Sequence, residues 1–412
     1  MIKKNFYHLF ITYDGLLDPL GKSQIIPYLK SIANSKRKIK VISFEKNKNI
    51  EKKKINSMRK DLLKTNIIWK YNNFSENYGR IGKIYDLIKM FFFSLYSILA
   101  RNIQIVHCRS HVPAIVGLFL KKLFNIKLVF DFRGLWIEER FDYNIWNKKN
   151  IFHKFYYRIF KKLESKILNN SDYIVCLTKS VKPYLKKLLY KKVPIDVIPC
   201  CADYNFFKKK KYSKIKAKKI LKIEENSSVI GYAGSINKVY LIKSMINFFK
   251  ILQKKDKKLI FVFVTHQMNE VKKIINDNSN NKINKNIKIF KADREKIPLF
   301  LSSFDLTLCF IKKTFSRTAM SPTKMFESFA IGIPFICNKG IGDVDLILDK
   351  NKIGGLIDLN RDINSKKNYM LYKQCKKIKS SYIINQTKPF YDISFAKNKY
   401  NYIYNFLENE KK

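Results

Sequence analysis

A stretch in the last third of the chain, Ser321-Pro322-Thr323-Lys324-Met325-Phe326-Glu327, gathers residue types suited to holding a phosphate and a sugar diol. Ser321 suits an N-cap and Pro322 the first helical position, so the sequence predicts a helix starting here. A helix N-terminus offers open N–H groups and the positive end of its dipole, which suits a diphosphate. Thr323 lies among those amides, and Lys324 in the first turn adds a point charge. Glu327, three residues on, carries a carboxylate that can accept two hydrogen bonds from a vicinal diol such as a ribose. The same residues also make an ordinary capped helix with a surface Lys–Glu pair.

Four further segments gather chemistry after predicted strands. In Gly231-Tyr232-Ala233-Gly234-Ser235, Gly234 and Ser235 can present an amide and a hydroxyl to a phosphate. The segment is not a Gly-x-Gly-x-x-Gly fingerprint, which disfavours a dinucleotide site. Gly340-Ile341-Gly342-Asp343 allows close backbone approach to a ligand but reads equally as a turn. Asp14-Gly15-Leu16-Leu17-Asp18-Pro19-Leu20-Gly21-Lys22-Ser23-Gln24 contains Gly-Lys-Ser, but Leu16 stands where a P-loop needs its first glycine. Finally, His107-Cys108-Arg109-Ser110-His111 and Asp131-Phe132-Arg133-Gly134-Leu135-Trp136-Ile137-Glu138-Glu139-Arg140 bring His, Arg and carboxylates to one sheet edge. A histidine at a strand end is also commonly a satisfied structural residue.

These loops need a scaffold, and the chain supplies an alternation of short β-rich runs with longer helical ones. Strands are expected at Tyr7–Thr12, Lys40–Phe44, Ile103–His107, Lys127–Asp131 and Tyr173–Leu177, with a helix near Gln24–Ala33. The pattern restarts with Val229–Tyr232, a helix near Leu241–Leu252, then Leu259–Val264, Ile287–Phe290, Leu306–Phe310 and Pro334–Cys337. Such alternation predicts an α/β protein with parallel sheets covered by helices. The boundary falls near Pro199–Tyr212, and Asn276–Asn286 reads as a surface loop. In open α/β sheets ligands sit beyond the carboxyl ends of the strands, where these segments lie.

Composition narrows the classes. The 412 residues are 46% hydrophobic and 14% aromatic, enough for sizeable cores and against global disorder. Lys and Arg number 83 against 32 Asp and Glu, a net charge of +51. These cations are spread along the chain: most read as solvated side chains, and they favour no single anionic partner, be it phosphate, membrane or nucleic acid. An RNA module with Arg-interleaved aromatics is missing. The seven cysteines form no Cys-x-x-Cys pair and read as small buried hydrophobes in a reducing compartment. With five histidines outside any ligand spacing, no zinc site is expected. The N-terminus lacks the features of a signal peptide. The longest apolar run, Met90–Ala100, is too short to span a bilayer; it is expected as a buried helix, with an interfacial helix on a membrane as the alternative.

Taken in order, Asp14–Gln24, Arg133–Arg140, Gly231–Ser235 and Pro322–Glu327 resemble the loops of glycosyltransferase family 4, the retaining GT-B enzymes, and most closely bacterial members that build surface polysaccharides. The resemblance covers nearly the whole chain. It implies two Rossmann-like doubly wound domains facing a cleft: an acceptor-side domain over 1–200, onto which a C-terminal helix in 388–412 packs back, and a nucleotide-sugar domain over 201–387. It implies that Glu327 holds the ribose, that Gly234, Ser235, Ser321, Thr323 and Lys324 hold the diphosphate, and that Gly21 approaches the donor from the first domain. His107, Arg109, His111, Arg133 and Glu139 become the catalytic and acceptor-side candidates. Many members carry a second Glu eight residues before the ribose-binding one; here that position is Ala319, which shifts leaving-group stabilisation toward Arg317 and Lys324. The Gly-Arg…Lys pair frequent in the family is not evident, Lys238 and Lys243 being the nearest cations.

The implied activity is hexosyl-type transfer from a nucleotide sugar to a glycan or lipid-linked acceptor with retention, needing no metal or other cofactor. The implied place is the cytoplasm, peripherally on the anionic inner face of the plasma membrane. The rival readings are a nucleotide-sugar 2-epimerase of the same fold and a non-catalytic basic scaffold or nucleic-acid-binding protein.

Overall fold

The computed structural model describes residues 6–46, 51–75, 79–277, 285–359 and 365–409. It divides into two compact units, Met1–Pro199 with Ile393–Lys412, and Cys200–Asp392.

The first unit carries parallel strands β1 (Phe6–Thr12), β2 (Arg37–Glu45), β3 (Ile67–Asn73), β4 (Ile103–Arg109), β5 (Lys127–Phe132), β6 (Tyr173–Cys176) and β7 (Ile195–Val197). Their order is β3-β2-β1-β4-β5-β6-β7. Leu9, Ile11, Val106, Leu128 and Phe130 are fully buried in the central strands, as expected where helices cover both faces of a parallel sheet. The order reverses between β1 and β4, which opens the crevice where ligands bind in such sheets. The register sets Thr12 beside Arg109, and Arg109 beside Asp131, at the carboxyl ends facing that crevice.

The second unit repeats the plan with β8 (Val229–Ala233), β9 (Ile260–Val264), β10 (Ile287–Phe290), β11 (Leu306–Cys309), β12 (Phe335–Asn338) and β13 (Gly354–Ile357), in the order β10-β9-β8-β11-β12-β13. Its reversal lies between β8 and β11. Gly231, inside β8, is explained by packing: a Cβ there would stand 1.9 Å from the Phe304 ring.

The last helix, Ile393–Asn409, belongs to the first unit and packs on the helix Ile26–Ile32. Arg37 makes a two-pronged ion pair to it, with Nε 2.8 Å from Glu408 Oε1 and Nη2 2.9 Å from Oε2. Nη1 and Nη2 also reach Asn401 and Asn405, and His8 Nε2 meets Glu408 at 2.8 Å. Arg37 and His8 outweigh burial and hold the Glu408 carboxyl at about 2.

Three sequence expectations change. The helix near Gln24–Ala33 is two helices, Pro19–Gln24 and Ile26–Ile32, broken at Ile25. Pro27 has no N–H to continue a helix from before it, and sits instead in the first turn of the second. Strands β3, β7 and β13 have no counterpart among the expected ones: Ile67–Asn73 mixes apolar and polar residues too evenly, Ile195–Val197 is only three residues long, and Gly354-Gly355 looks like a turn. The run Met90–Ala100, expected as a buried helix, falls in and just beyond the helix Gly79–Leu99, where Phe92, Tyr96 and Leu99 are exposed and Phe91, Phe93, Leu95 and Ile98 half-buried. Its inner face presents Asp86, Met90, Ser94 and Ser97 instead. Asp86 Oδ2 accepts from Tyr13 and the Ser75 amide while its buried Oδ1 has no partner among the described residues, and both serines bond back to carbonyls four residues earlier. Of the loop expected at Asn276–Asn286, residues 278–284 lie outside the described residues. All seven cysteines are buried.

Candidate active site

In the second unit, the loop after β11 runs through a 3-10 turn, Phe315–Ala319, into the helix Thr323–Ile331. The helix starts one residue later than the sequence suggested, with Pro322 at the cap and no capping side chain among the described residues. The Ser321 hydroxyl is engaged elsewhere, accepting the Cys200 N–H at 3.1 Å. Pro322 cannot donate, and the Met325 N–H bonds Pro322 O. The Thr323 and Lys324 amides therefore stand at the open end of the helix dipole.

Lys324 ties this helix to the loop after β8. Its aliphatic stem lies on Gly234, where a Cβ would stand 2.1 Å from Cε. Its ammonium sits 3.9 Å from the ring centre of Tyr240 and 5.4 Å from that of Tyr232. Burial works against the charge, but Tyr240, Cys309 and Glu327 outweigh it and hold the pKa above the ordinary lysine value. Gly234 takes φ +150° while its N–H bonds Val264 O at the end of β9. Ser235 beside it is exposed. Thus the loops after β8 and β11 meet at the reversal point, around the half-buried Lys324 and an open helix end.

Glu327 accepts from Arg294 Nη1 at 2.7 Å. Arg294 follows β10 and lies against the rings of Phe206 and Phe207. One carboxylate oxygen is thereby fixed, and a carboxylate retains capacity for a diol. Arg317 is buried in the 3-10 turn, and its carbonyl accepts the Gly342 N–H at 2.8 Å, closing the Gly340–Asp343 loop against it. Ala319 is buried as well.

In the first unit, the five candidates do not form one constellation. His107, Arg109 and Arg133 converge on Asp131, at 3.8, 3.4 and 3.5 Å, and Arg109 Nε also lies 3.8 Å from Asp14. Burial opposes the Asp131 charge, but Arg133, His107 and Arg109 overcome it and bring its pKa to about 2. His107 is 1% exposed; burial lowers its pKa, and Tyr404 from the last helix meets its Nδ1 at 3.0 Å. Burial thus favours the neutral imidazole, which Tyr404 holds at Nδ1 while Nε2 stands 3.8 Å from Asp131.

His111 belongs to a second network. It is 3% exposed, its Nε2 lies 2.7 Å from Glu164, and Lys161 joins Glu164, Glu138 and Tyr184. Trp136 stacks on the His111 ring, with Arg140 over the indole at 4.2 Å. Glu139, half-buried on the helix Trp136–Asp142, folds back over Gly134. Neither histidine is presented to solvent.

Gly21 has a packing reason: a Cβ there would stand 2.1 Å from Gly15 O. The loop it receives is stapled by Glu45, which accepts the Leu16 and Leu17 amides at 2.8 and 3.1 Å. Asp131, Glu45, Tyr240 and Arg294 hold the candidate residues in place and were not among the sequence candidates. Asp131 lies at a strand end, two residues ahead of Arg133. The others meet their partners only through the fold.

Residues 58–206 match the family model Glycosyltransferase Family 4, and residues 213–387 match Glycosyl transferases group 1. This chain is a family 4-type glycosyltransferase. It has the GT-B fold, seen also in solved structures of low identity. Sucrose-phosphate synthase from Thermosynechococcus elongatus is 12% identical with a TM-score of 0.71, the match covering 98% of this chain and 100% of that one. HepE from Anabaena, solved with UDP and glucose, is 12% identical with a TM-score of 0.68, covering 97% and 100%. A putative UDP-N-acetylglucosamine 2-epimerase from Listeria monocytogenes is 12% identical with a TM-score of 0.62, covering 99% and 98%. No curated protein matches the sequence of this glycosyltransferase. Among its described residues no His, Cys, Asp and Glu cluster could hold a metal ion, and no helix is long and apolar enough to cross a membrane.

Proposed function

We propose that this glycosyltransferase moves a hexosyl-type sugar from a nucleotide-sugar donor to a glycan or lipid-linked saccharide, with retention of configuration, in surface polysaccharide synthesis. The observation that carries the reading is the packing of Lys324 onto Gly234 at an uncapped helix start, with Glu327 held one turn on by Arg294. Fixed cations and amides aimed at a departing diphosphate give a preorganised site for the charge that develops as the glycosidic bond breaks. In this reading the Thr323 and Lys324 amides, the Lys324 ammonium, Gly234 and Ser235 hold the diphosphate. Glu327 accepts the ribose hydroxyls, and Arg317 supports the loop behind them.

The first unit takes the acceptor side. Arg109, Arg133 and Glu139 are its contact groups, with His107 and His111 as positioning residues and Gly21 shaping the loop after β1. HepE, which shares the fold, was solved with UDP and glucose, and this favours a nucleoside diphosphate sugar as the donor class. Loss of a diphosphate held this way needs no metal. A lipid-linked acceptor places the enzyme at the inner face of the plasma membrane.

A thermal-shift panel of UDP, GDP, ADP and their sugars tests the donor site. A ligand at about 100 times its Kd adds about 2.7 kcal/mol of stability. The expected result is a shift with one base, lost in Glu327→Ala. If no nucleotide shifts the wild type, the donor assignment fails. The same donor incubated without acceptor separates transfer from epimerisation, since only an epimerase converts the free nucleotide sugar.

A further inference from the structure

The helix Gly79–Leu99 is built with its polarity reversed. Going around it at 3.6 residues per turn, Ile81, Ile84, Ile88, Phe92, Tyr96 and Leu99 fall on one stripe, and Tyr85 lies at its edge. All are exposed, from 48% at Ile88 to 76% at Ile81. The stripe runs about 27 Å along the helix. The opposite face, against the sheet, carries Asp86, Ser94 and Ser97 beside Met90, all fully buried. A helix of a soluble domain normally does the opposite. The neighbouring helix His111–Leu123 extends the surface with exposed Phe119 and Leu123, and ends in Lys121 and Lys122.

Cations edge the stripe. Lys89 sits over Tyr85 at 4.1 Å, Lys70 over Phe93 at 5.0 Å and Lys40 over Tyr96 at 5.4 Å. Burial, with Arg101 and Lys70 close by, lowers the Lys40 pKa. The arrangement is an apolar strip with lysines along its side, of which Lys121 is paired with Asp172. A single exposed apolar residue needs no explanation, but a contiguous strip marks a surface that is covered in use.

We infer that the helix Gly79–Leu99 lies on the surface of an anionic lipid bilayer, its apolar stripe sunk at the boundary between headgroups and acyl chains and its flanking lysines against lipid phosphates. Charge selects this occupant. A second copy of the chain would bring the same lysines to face these, whereas anionic lipid brings the complementary charge. The length and all-apolar width of the stripe suit a helix lying in the interfacial plane. The inference stands apart from the donor-site reading, because binding to lipid is measured without any nucleotide or transfer.

The test is flotation with vesicles of phosphatidylcholine alone and of phosphatidylcholine mixed with phosphatidylglycerol. Wild type is expected to float with the mixed vesicles, less so as salt rises, and hardly with the neutral ones. The double variant Ile88→Asp/Phe92→Asp, at exposed positions that leave the core intact, is expected to weaken binding at least about tenfold with an unchanged melting temperature. Phe92→Trp is expected to show a blue-shifted emission on adding the mixed vesicles. Equal flotation of the double variant and wild type would overturn the inference. So would absence of wild-type flotation, including the case where the wild type instead self-associates and the double variant does not, which would assign the stripe to a second copy.

Discussion

The two units use the same strand order yet hold their functional groups differently. In the second unit the chemistry sits at a backbone feature, an open helix start, with one lysine laid across it from a glycine loop. In the first, it sits in side-chain networks: Asp131 collects His107, Arg109 and Arg133, while Glu164 collects His111 and Lys161. A backbone site is specified by local sequence and loses function in steps as its side chains are trimmed. A buried charge network is specified by distant partners and fails structurally when its centre is removed.

That contrast can be broken most sharply at Asp131. Asp131→Ala leaves buried guanidinium groups uncompensated and is expected to cost about 3–5 kcal/mol of stability, read by urea unfolding. A loss below about 1 kcal/mol would mean that the first unit is no more network-dependent than the second.

Next in size is Lys324→Met, which keeps the stem on Gly234 and removes the charge. It is expected to lower kcat by roughly 10²–10³ with little change in melting temperature. A large stability loss with retained kcat would make Lys324 a structural residue.

Arg294→Met should act more mildly, raising donor KM about tenfold through a loosened Glu327 while kcat holds. An unchanged KM would show that Glu327 needs no support.

The smallest effect concerns acid. The Glu408 carboxyl lies at about 2 in the folded chain, below its ordinary range near 4.5, because Arg37 and His8 face it. Its contribution is complete above the unfolded value and is lost as pH falls toward 2. Glu408→Gln should therefore lower the melting temperature at pH 7 and flatten its acid limb. The donor-site variants should leave that limb unchanged.

What was legible follows the same division. Pro322, Thr323, Lys324 and Glu327 could be read because a helix start announces itself within a few residues. The strand-end positions of Arg109 and Asp131 could be read for a similar reason. Arg294 could not, since 33 residues separate it from Glu327 and only the β10–β9–β8 arrangement brings them together. The Tyr404–His107 contact, 297 residues apart, escaped for the same cause. The helix Gly79–Leu99 misled in another way. Hydropathy measures how apolar a run is, and a short run cannot say whether its apolar side meets the core or the outside.

The last helix has a consequence for how the molecule is made. His107, Arg37 and His8 are within the first 110 residues, yet their partners Tyr404 and Glu408 are translated near the end, after the entire second unit. A chain still on the ribosome can complete its second unit before its first. The first unit's network is thus locked only when this helix arrives, so a chain stopped before it would bear an intact second unit and an unfinished first one.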